Sequence, residues 1–144
     1  MTANSAQDRR RHERYPIYCP LEYKAEDDQP KEPAITLNIS ENGALVSARR
    51  NLPINSNVIL KFLLKDEMFF IIGKIRHIRQ NDKKEIYEAG IEFWDKPRTF
   101  TKKFYDELQG IMEYQKRQKQ ELGNDISLAE ASLDWYKDSA NWPQ

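Results

Sequence analysis

Apolar and polar positions alternate with a period of two along most of the first two thirds of the chain. The first alternating run begins at Tyr15 and places one set of residues on a common face: Ile17, Cys19, Leu21 and Tyr23. Alternation of this kind predicts strands that bury one face. Turn residues separate five further strand candidates, which lie at 34–40, 43–49, 58–64, 67–80 and 85–94.

Six short strands at this spacing predict an antiparallel β-barrel, and Gly73 and Gly90 fall where glycine marks a bulge or a bend. From Thr99 onward the period changes, and apolar residues recur every three or four positions. This pattern predicts an amphipathic helix that ends near Gly123. Ser127, with a glutamate three residues later, predicts a capping box and a second short helix.

The predicted fold is therefore mainly β, a six-stranded antiparallel barrel with a C-terminal α-helix and a short helical extension. We divide the chain into three parts. Residues 1–8 are small and polar and predict a disordered tail. Residues 9–115 hold an arginine-rich N-terminal segment, the barrel and the start of the helix. Residues 116–144 hold the end of the helix and the extension.

Charge and composition exclude several classes of function. Lys plus Arg and Asp plus Glu both number 23, so the chain as a whole attracts neither nucleic acid nor an acidic membrane. The longest apolar run, 68–72, is far shorter than the roughly 20 residues that span a bilayer. No apolar stretch follows the basic N-terminal residues, as it would in a signal peptide. We expect a cytoplasmic protein that does not insert into membranes.

Cysteine and histidine are too few for a metal site of recognisable spacing, so we expect no metal and no cofactor. Cys19 occupies an alternating apolar position and is predicted to lie in the core. His12 and His77 accompany no evident nucleophile, and His77 is interpreted as an ordinary strand residue. The sequence therefore predicts a protein that is not an enzyme.

Two motifs carry candidate binding chemistry. Arg10 and Arg14 lie four residues apart just before the first strand, and guanidinium groups match phosphate oxygens and the edge of guanine. Asn38 and Ser40 lie two apart on a strand and so share a face, and Gly43 permits close approach of a ligand. Each motif alone is typical of a solvated segment or an ordinary turn. Their order and spacing together favour one binding site.

Arg10-x-x-x-Arg14 followed by Asn38-x-Ser40-x-x-Gly43 resembles the paired signature of PilZ domains, RxxxR and [D/N]xSxxG. The run 89–93, Ala-Gly-Ile-Glu-Phe, is similar to the segment that closes the PilZ barrel. The resemblance covers roughly residues 8–115 and implies a receptor for cyclic di-GMP.

The resemblance also implies a role for each motif residue. Arg10 and Arg14 would hold guanine edges and phosphates. Asn38 and Ser40 would bond the other guanine and the ring's backbone, and Gly43 would shape the turn beneath them. Arg9 stands immediately before the first motif, and in this family such a residue favours an intercalated pair of ligand molecules.

The expected mechanism is ordering of the N-terminal segment on ligand binding, which would form a surface for a downstream protein. Two alternatives stay open. The first is a PilZ-like adaptor that contacts a protein through Trp135, Tyr136 and Trp142, although these aromatics are also explained by a last helix that packs on the barrel. The second is a barrel that binds single-stranded nucleic acid, which a sequence pI near 6.7 disfavours.

Overall fold

The structure is a computed structural model that describes residues 14–25, 31–64, 67–81 and 85–137. The predicted tail and both Arg9 and Arg10 lie outside these residues. The described residues form six strands: β1 (Pro20–Ala25), β2 (Glu32–Ser40), β3 (Gly43–Ala48), β4 (Asn57–Leu64), β5 (Glu67–Asn81) and β6 (Ile86–Asp95). They also form two helices, α1 (Arg98–Leu122) and α2 (Leu128–Tyr136).

The strands close into an antiparallel barrel in the order β1-β2-β3-β6-β5-β4. The inward positions carry the apolar residues of the alternating pattern, and the core includes Leu60, Phe62, Ile71, Ile75 and Ile91. The predicted mainly β fold, with helices at its C-terminal side, is confirmed.

The first strand begins later than the alternation predicts. Residues 15–19 run beside β2 without a regular ladder. The N–H of Thr36 donates to the Cys19 carbonyl at 3.0 Å, and the hydroxyl of Thr36 makes two further bonds to this segment. It accepts a bond from the Cys19 N–H at 2.8 Å and donates to the Ile17 carbonyl at 2.6 Å. Ile17 and Cys19 nevertheless point into the core, as their alternation predicts.

The pairing of β5 with β6 contains two register shifts. Ile75 pairs with Ile91 and His77 pairs with Gly90, which leaves Arg76 as an extra residue on β5. In the same way Trp94 is an extra residue on β6, beside Gly73. The bulge expected near Gly73 is therefore confirmed. The bulge expected near Gly90 is also confirmed, since Arg76 bulges opposite it. A Cβ on Gly90 would in addition lie 2.1 Å from the Cε1 atom of the His77 ring.

The long helix α1 docks on the barrel through aromatic side chains, with Phe100 fully buried. It ends where predicted, at Gly123 with a left-handed φ of 71°. Gly110, which weakens an isolated helix, makes room for the ring of Trp135, since a Cβ there would lie 2.8 Å from that ring. Neither helix in the described part of the chain is apolar over a length that would cross a membrane.

The predicted capping box at the start of α2 is present. Ser127 accepts a hydrogen bond from the N–H of Glu130 at 3.0 Å, and the Glu130 carboxylate accepts one from the N–H of Ser127 at 3.3 Å. Trp135 donates to Glu107 of α1 at 2.7 Å, and Tyr136 is buried. These two aromatics therefore pack within the molecule, whereas Trp142 lies outside the described residues.

Cys19 is a core residue and not a reactive thiol. Burial raises the pKa of its thiol to about 12, and a hydrogen bond with Tyr136 offsets only part of that increase. Because the thiolate is the reactive species, we expect no reaction of the folded protein with Ellman's reagent at mildly alkaline pH. The same sample in guanidinium chloride should react stoichiometrically. Rapid labelling under native conditions would contradict the buried position.

Candidate ligand-binding site

A cavity of about 270 Å³ opens on the outer face of the barrel, where β2, β3, β6 and β5 lie side by side. Three residues assigned to the site from sequence line it, and six others contribute as well. The lining residues are Arg14, Ser40, Asn42, Gly43, Arg76, His77, Gly90, Ile91 and Glu92. Each of the two sequence motifs thus contributes to one cavity, although Asn38 does not line it.

A short antiparallel bridge brings Arg14 to this cavity. The N–H of Tyr15 donates to the Ile39 carbonyl at 2.8 Å, and the N–H of Ile39 donates to the Tyr15 carbonyl at 3.0 Å. Because the bridge is antiparallel, Arg14 lies opposite Ser40 and diagonal to Asn38. Arg14 Nη1 donates to Asn38 Oδ1 at 3.4 Å. Arg14 itself is exposed, so most of its donors face solvent or a ligand.

Ser40 supports the turn between β2 and β3. Its hydroxyl accepts a bond from the N–H of Asn42 at 3.2 Å and donates to the Gly43 carbonyl at 3.4 Å. Lys96, beyond β6, donates to the carbonyl of Glu41 and, at 3.1 Å, to the side-chain oxygen of Asn42. Burial lowers the pKa of Lys96. The sequence pattern gave no indication of this lysine, because it depends on a contact between segments 54 residues apart.

Gly43 is required by packing between strands. Among the described glycines only Gly123 has a positive φ, so Gly43 needs no left-handed backbone. A Cβ on Gly43 would instead lie 2.6 Å from the carbonyl oxygen of Ile91 on β6. The resemblance implies that Gly43 shapes the turn. The structure adds a second role, because Gly43 lets β3 approach the backbone of β6 beneath the cavity.

Replacing Gly43 with alanine should lower the free energy of unfolding by about 1–3 kcal/mol, the usual cost of an added methyl group in a packed site. The clash is with backbone, which cannot rotate away as a side chain would. Urea unfolding followed by circular dichroism measures the change. Ser47→Ala, a small substitution on the same strand, is the control and should have little effect. An unchanged midpoint for Gly43→Ala would show that β3 shifts freely.

Several residues of the cavity escaped assignment from the sequence. Arg76 lines the cavity, whereas the neighbouring Lys74 does not. His77 lines it too, with its ring over Gly90. The sequence shows a histidine on the fifth strand and a glycine on the sixth, but it does not show that the two residues face each other. The strand register that pairs them is set by the bulge.

Glu92 is the acidic residue of the cavity. Its Oε1 accepts a bond from Arg76 Nη2 at 3.1 Å and another from the indole N–H of Trp94 at 2.7 Å. The Arg76 bond is the main cause that lowers the pKa of Glu92. The ammonium of Lys74 lies 4.1 Å from the centre of the Trp94 ring. The site therefore combines guanidinium, carboxylate, imidazole and hydroxyl groups in one polar recess.

The molecule is a small closed barrel with a polar cavity on its outer face and a helix after its last strand. A family model described as PilZ domain matches residues 8–104, and the chain belongs to the PilZ domain family. The rest of α1 and all of α2 lie beyond that match. No match was found among curated proteins.

Three solved structures share the fold. The Bacillus subtilis inhibitor of motility, MotI/DgrA, is 19% identical with a TM-score of 0.53, over 78% of this chain and 53% of that one. The PilZ domain of CeSA from a cellulose-synthesizing bacterium is 17% identical with a TM-score of 0.52, over 69% and 98%. The K. pneumonia MrkH–c-di-GMP complex is 14% identical with a TM-score of 0.59, over 77% and 55%. The chain thus spans about half the length of the MotI and MrkH chains.

Proposed function

We propose that this chain is a non-enzymatic receptor for cyclic di-GMP. The observation that carries the proposal is the position of Arg14, which lines one cavity together with Ser40 and Gly43 and also bonds Asn38, because these residues come from two separate motifs. Membership of the PilZ family and the likeness to a cyclic di-GMP complex of MrkH support the same ligand.

The chemistry of the cavity suits a guanine nucleotide. An exposed guanidinium offers paired donors to phosphate oxygens or to the O6 and N7 atoms of guanine, and its plane stacks on a purine. Each charge-assisted hydrogen bond contributes about 1.5–3 kcal/mol. A few such bonds, after the costs of ordering, give micromolar or tighter binding. The cavity is at the small end of ligand sites, so it holds one base while the rest of the dinucleotide lies along the surface.

The residues that precede Arg14 complete the proposal. Arg9 and Arg10 contact the ligand when it binds, and Arg9 supports an intercalated pair of ligand molecules. The segment becomes ordered and forms a surface for a downstream protein in the cytoplasm. Trypsin cleavage after Arg9, Arg10 and Arg11 should slow when ligand saturates the protein. Equal cleavage rates with and without ligand would rule out this switch.

The direct test is titration calorimetry with cyclic di-GMP, beside GTP, cyclic di-AMP and a single-stranded oligonucleotide. We expect saturable binding of cyclic di-GMP alone, with a pair of ligand molecules per chain if the role given to Arg9 is correct. A folded sample that ignores cyclic di-GMP would overturn the ligand assignment and favour the adaptor alternative. Salt-sensitive binding of the oligonucleotide would favour the nucleic-acid alternative.

A further inference from the structure

Two bulges direct side chains toward the same carboxylate. The extra residue on β5 is Arg76, the extra residue on β6 is Trp94, and both donate to Glu92 Oε1. Bulges bend a strand locally and re-aim side chains, often next to functional sites. Both of these bonds fall on one oxygen of Glu92, and the second oxygen, Oε2, takes part in neither. Arg76 and Trp94 thus orient the carboxylate through one of its oxygens. The other oxygen accepts no bond from either residue.

The position of Glu92 places this carboxylate at the ligand. Glu92 pairs with Gly43 on β3 and with Lys74 on β5, so it lies between the strand that ends the second motif and the strand that carries Arg76. It lines the same cavity as Arg14 and Ser40. A carboxylate beside a phosphate is unfavourable unless cations offset it, and two arginines of the cavity provide that compensation.

Guanine is the purine whose edge fits a carboxylate. Its N1–H and its exocyclic N2 amino group are adjacent donors, whereas an ionised carboxylate only accepts hydrogen bonds. Adenine presents an acceptor at N1 and so leaves a carboxylate without a complementary pair. The Glu92 side chain is 50% exposed, so water can solvate it when no guanine is bound. Discrimination between the bases therefore comes from the pairing of two adjacent donors with the two carboxylate oxygens.

Resting on the proposed function, we propose that Glu92 is a specificity-determining residue that accepts hydrogen bonds from N1–H and N2–H of a guanine base. Arg76 and Trp94 are positioning residues that hold the carboxylate in place. The Trp94 ring is 55% exposed and its indole N–H bonds Glu92. Glu92 can keep its bond to Arg76 while it accepts bonds from the guanine.

The chain provides a matched control for the ion pair itself. Glu88 and Arg79 lie on the same two strands, and Arg79 Nη2 is 3.1 Å from Glu88 Oε1, the distance found between Arg76 and Glu92. Glu88 does not line the cavity. A purely structural effect of removing a cross-strand carboxylate should therefore appear equally in Glu88→Gln and Glu92→Gln.

The test compares wild type, Glu92→Gln and Glu88→Gln by calorimetry with cyclic di-GMP and with cyclic di-IMP, whose bases lack the N2 amino group. For wild type we expect weaker binding of cyclic di-IMP. Glu92→Gln should weaken cyclic di-GMP binding about tenfold or more, the effect of losing a charge-assisted bond. It should weaken cyclic di-IMP binding distinctly less, while Glu88→Gln changes neither ligand. Thermal unfolding confirms that both variants fold.

Each other outcome has a definite meaning. If wild type binds cyclic di-GMP and Glu92→Gln binds it equally well, this inference fails and the proposed function stands. If Glu92→Gln weakens both ligands to the same degree, the carboxylate acts only through Arg76, and the inference is also overturned. If wild type binds neither ligand, the proposed function fails and this inference fails with it. Equal affinity of wild type for the two ligands would contradict the inference without reference to any variant.

Discussion

Replacing Arg14 with alanine should weaken cyclic di-GMP binding by about 100-fold, the loss of two charge-assisted hydrogen bonds at roughly 1.5 kcal/mol each. The structure gives Arg14 one long bond of 3.4 Å to Asn38 and otherwise leaves it exposed. Its removal should therefore change stability little, so the loss would be attributable to the ligand. Calorimetry measures the affinity, and thermal unfolding measures the stability.

Two further variants show which property of Arg14 matters. Arg14→Lys keeps the charge but removes the planar fork of donors, and it should recover only a small part of the lost affinity. Arg117→Ala removes an exposed arginine of α1, away from the cavity, and should bind as wild type does. If Arg14→Ala bound within about threefold of wild type, an effect far below that of one such bond, the site would be misplaced.

Replacing Phe100 with alanine should lower the free energy of unfolding by about 3–5 kcal/mol, the usual cost of deleting a buried aromatic ring. Phe100 is 0% exposed, and its ring centre lies 5.5–6.1 Å from four other rings, those of Phe62, Phe69, Phe93 and Phe104. The cavity left behind would lie where α1 meets the barrel, so the helix would lose its main anchor.

Urea unfolding of Phe100→Ala, followed by circular dichroism and by intrinsic fluorescence, checks this expectation. Met112→Ala is the control, because Met112 lies on the same helix but is 41% exposed and should cost little. A loss of less than about 1 kcal/mol, well below the range for core aromatics, would mean that α1 is not anchored as described. Separate transitions for the two probes would indicate that helix and barrel unfold independently.

The segment that carries Arg14 is held from two sides. Tyr15 bonds the backbone of β2, and the N–H of Tyr18 donates to the hydroxyl of Ser132 on α2 at 2.9 Å. Ser132 is fully buried. Because α2 lies beyond the residues that match the family model, the helical extension of this chain supports a segment that belongs to the family's barrel.

Much of the fold could be predicted from local signals. Alternation located β2 to β6, since side chains of a half-buried strand must point alternately to core and solvent. The end of α1 at Gly123 and the start of α2 at Ser127 were predictable too, because capping depends on a few adjacent residues. The start of β1 was not, because the Thr36 hydroxyl that bonds residues 17 and 19 comes from another strand.

The candidate site was predictable only in part. Four described residues could be assigned as candidates because they belong to two motifs whose order along the chain is visible in the sequence: Arg14, Asn38, Ser40 and Gly43. Arg76, His77 and Glu92 could not, since each enters the cavity through the register between β5 and β6. That register depends on two bulges, and a one-residue difference would turn these side chains to other neighbours.

By itself, the sequence of this protein predicted the strands apart from the start of β1, the helix ends and three of the nine residues that line the cavity, because periodicity, capping and short motifs act over a few neighbouring positions. Only the tertiary structure decided which residues share the cavity, why Gly43 and Gly90 must lack a side chain, and how Glu92 is held. Those properties arise from contacts between strands that are distant in the chain, and their free energies depend on register and packing that no local pattern encodes.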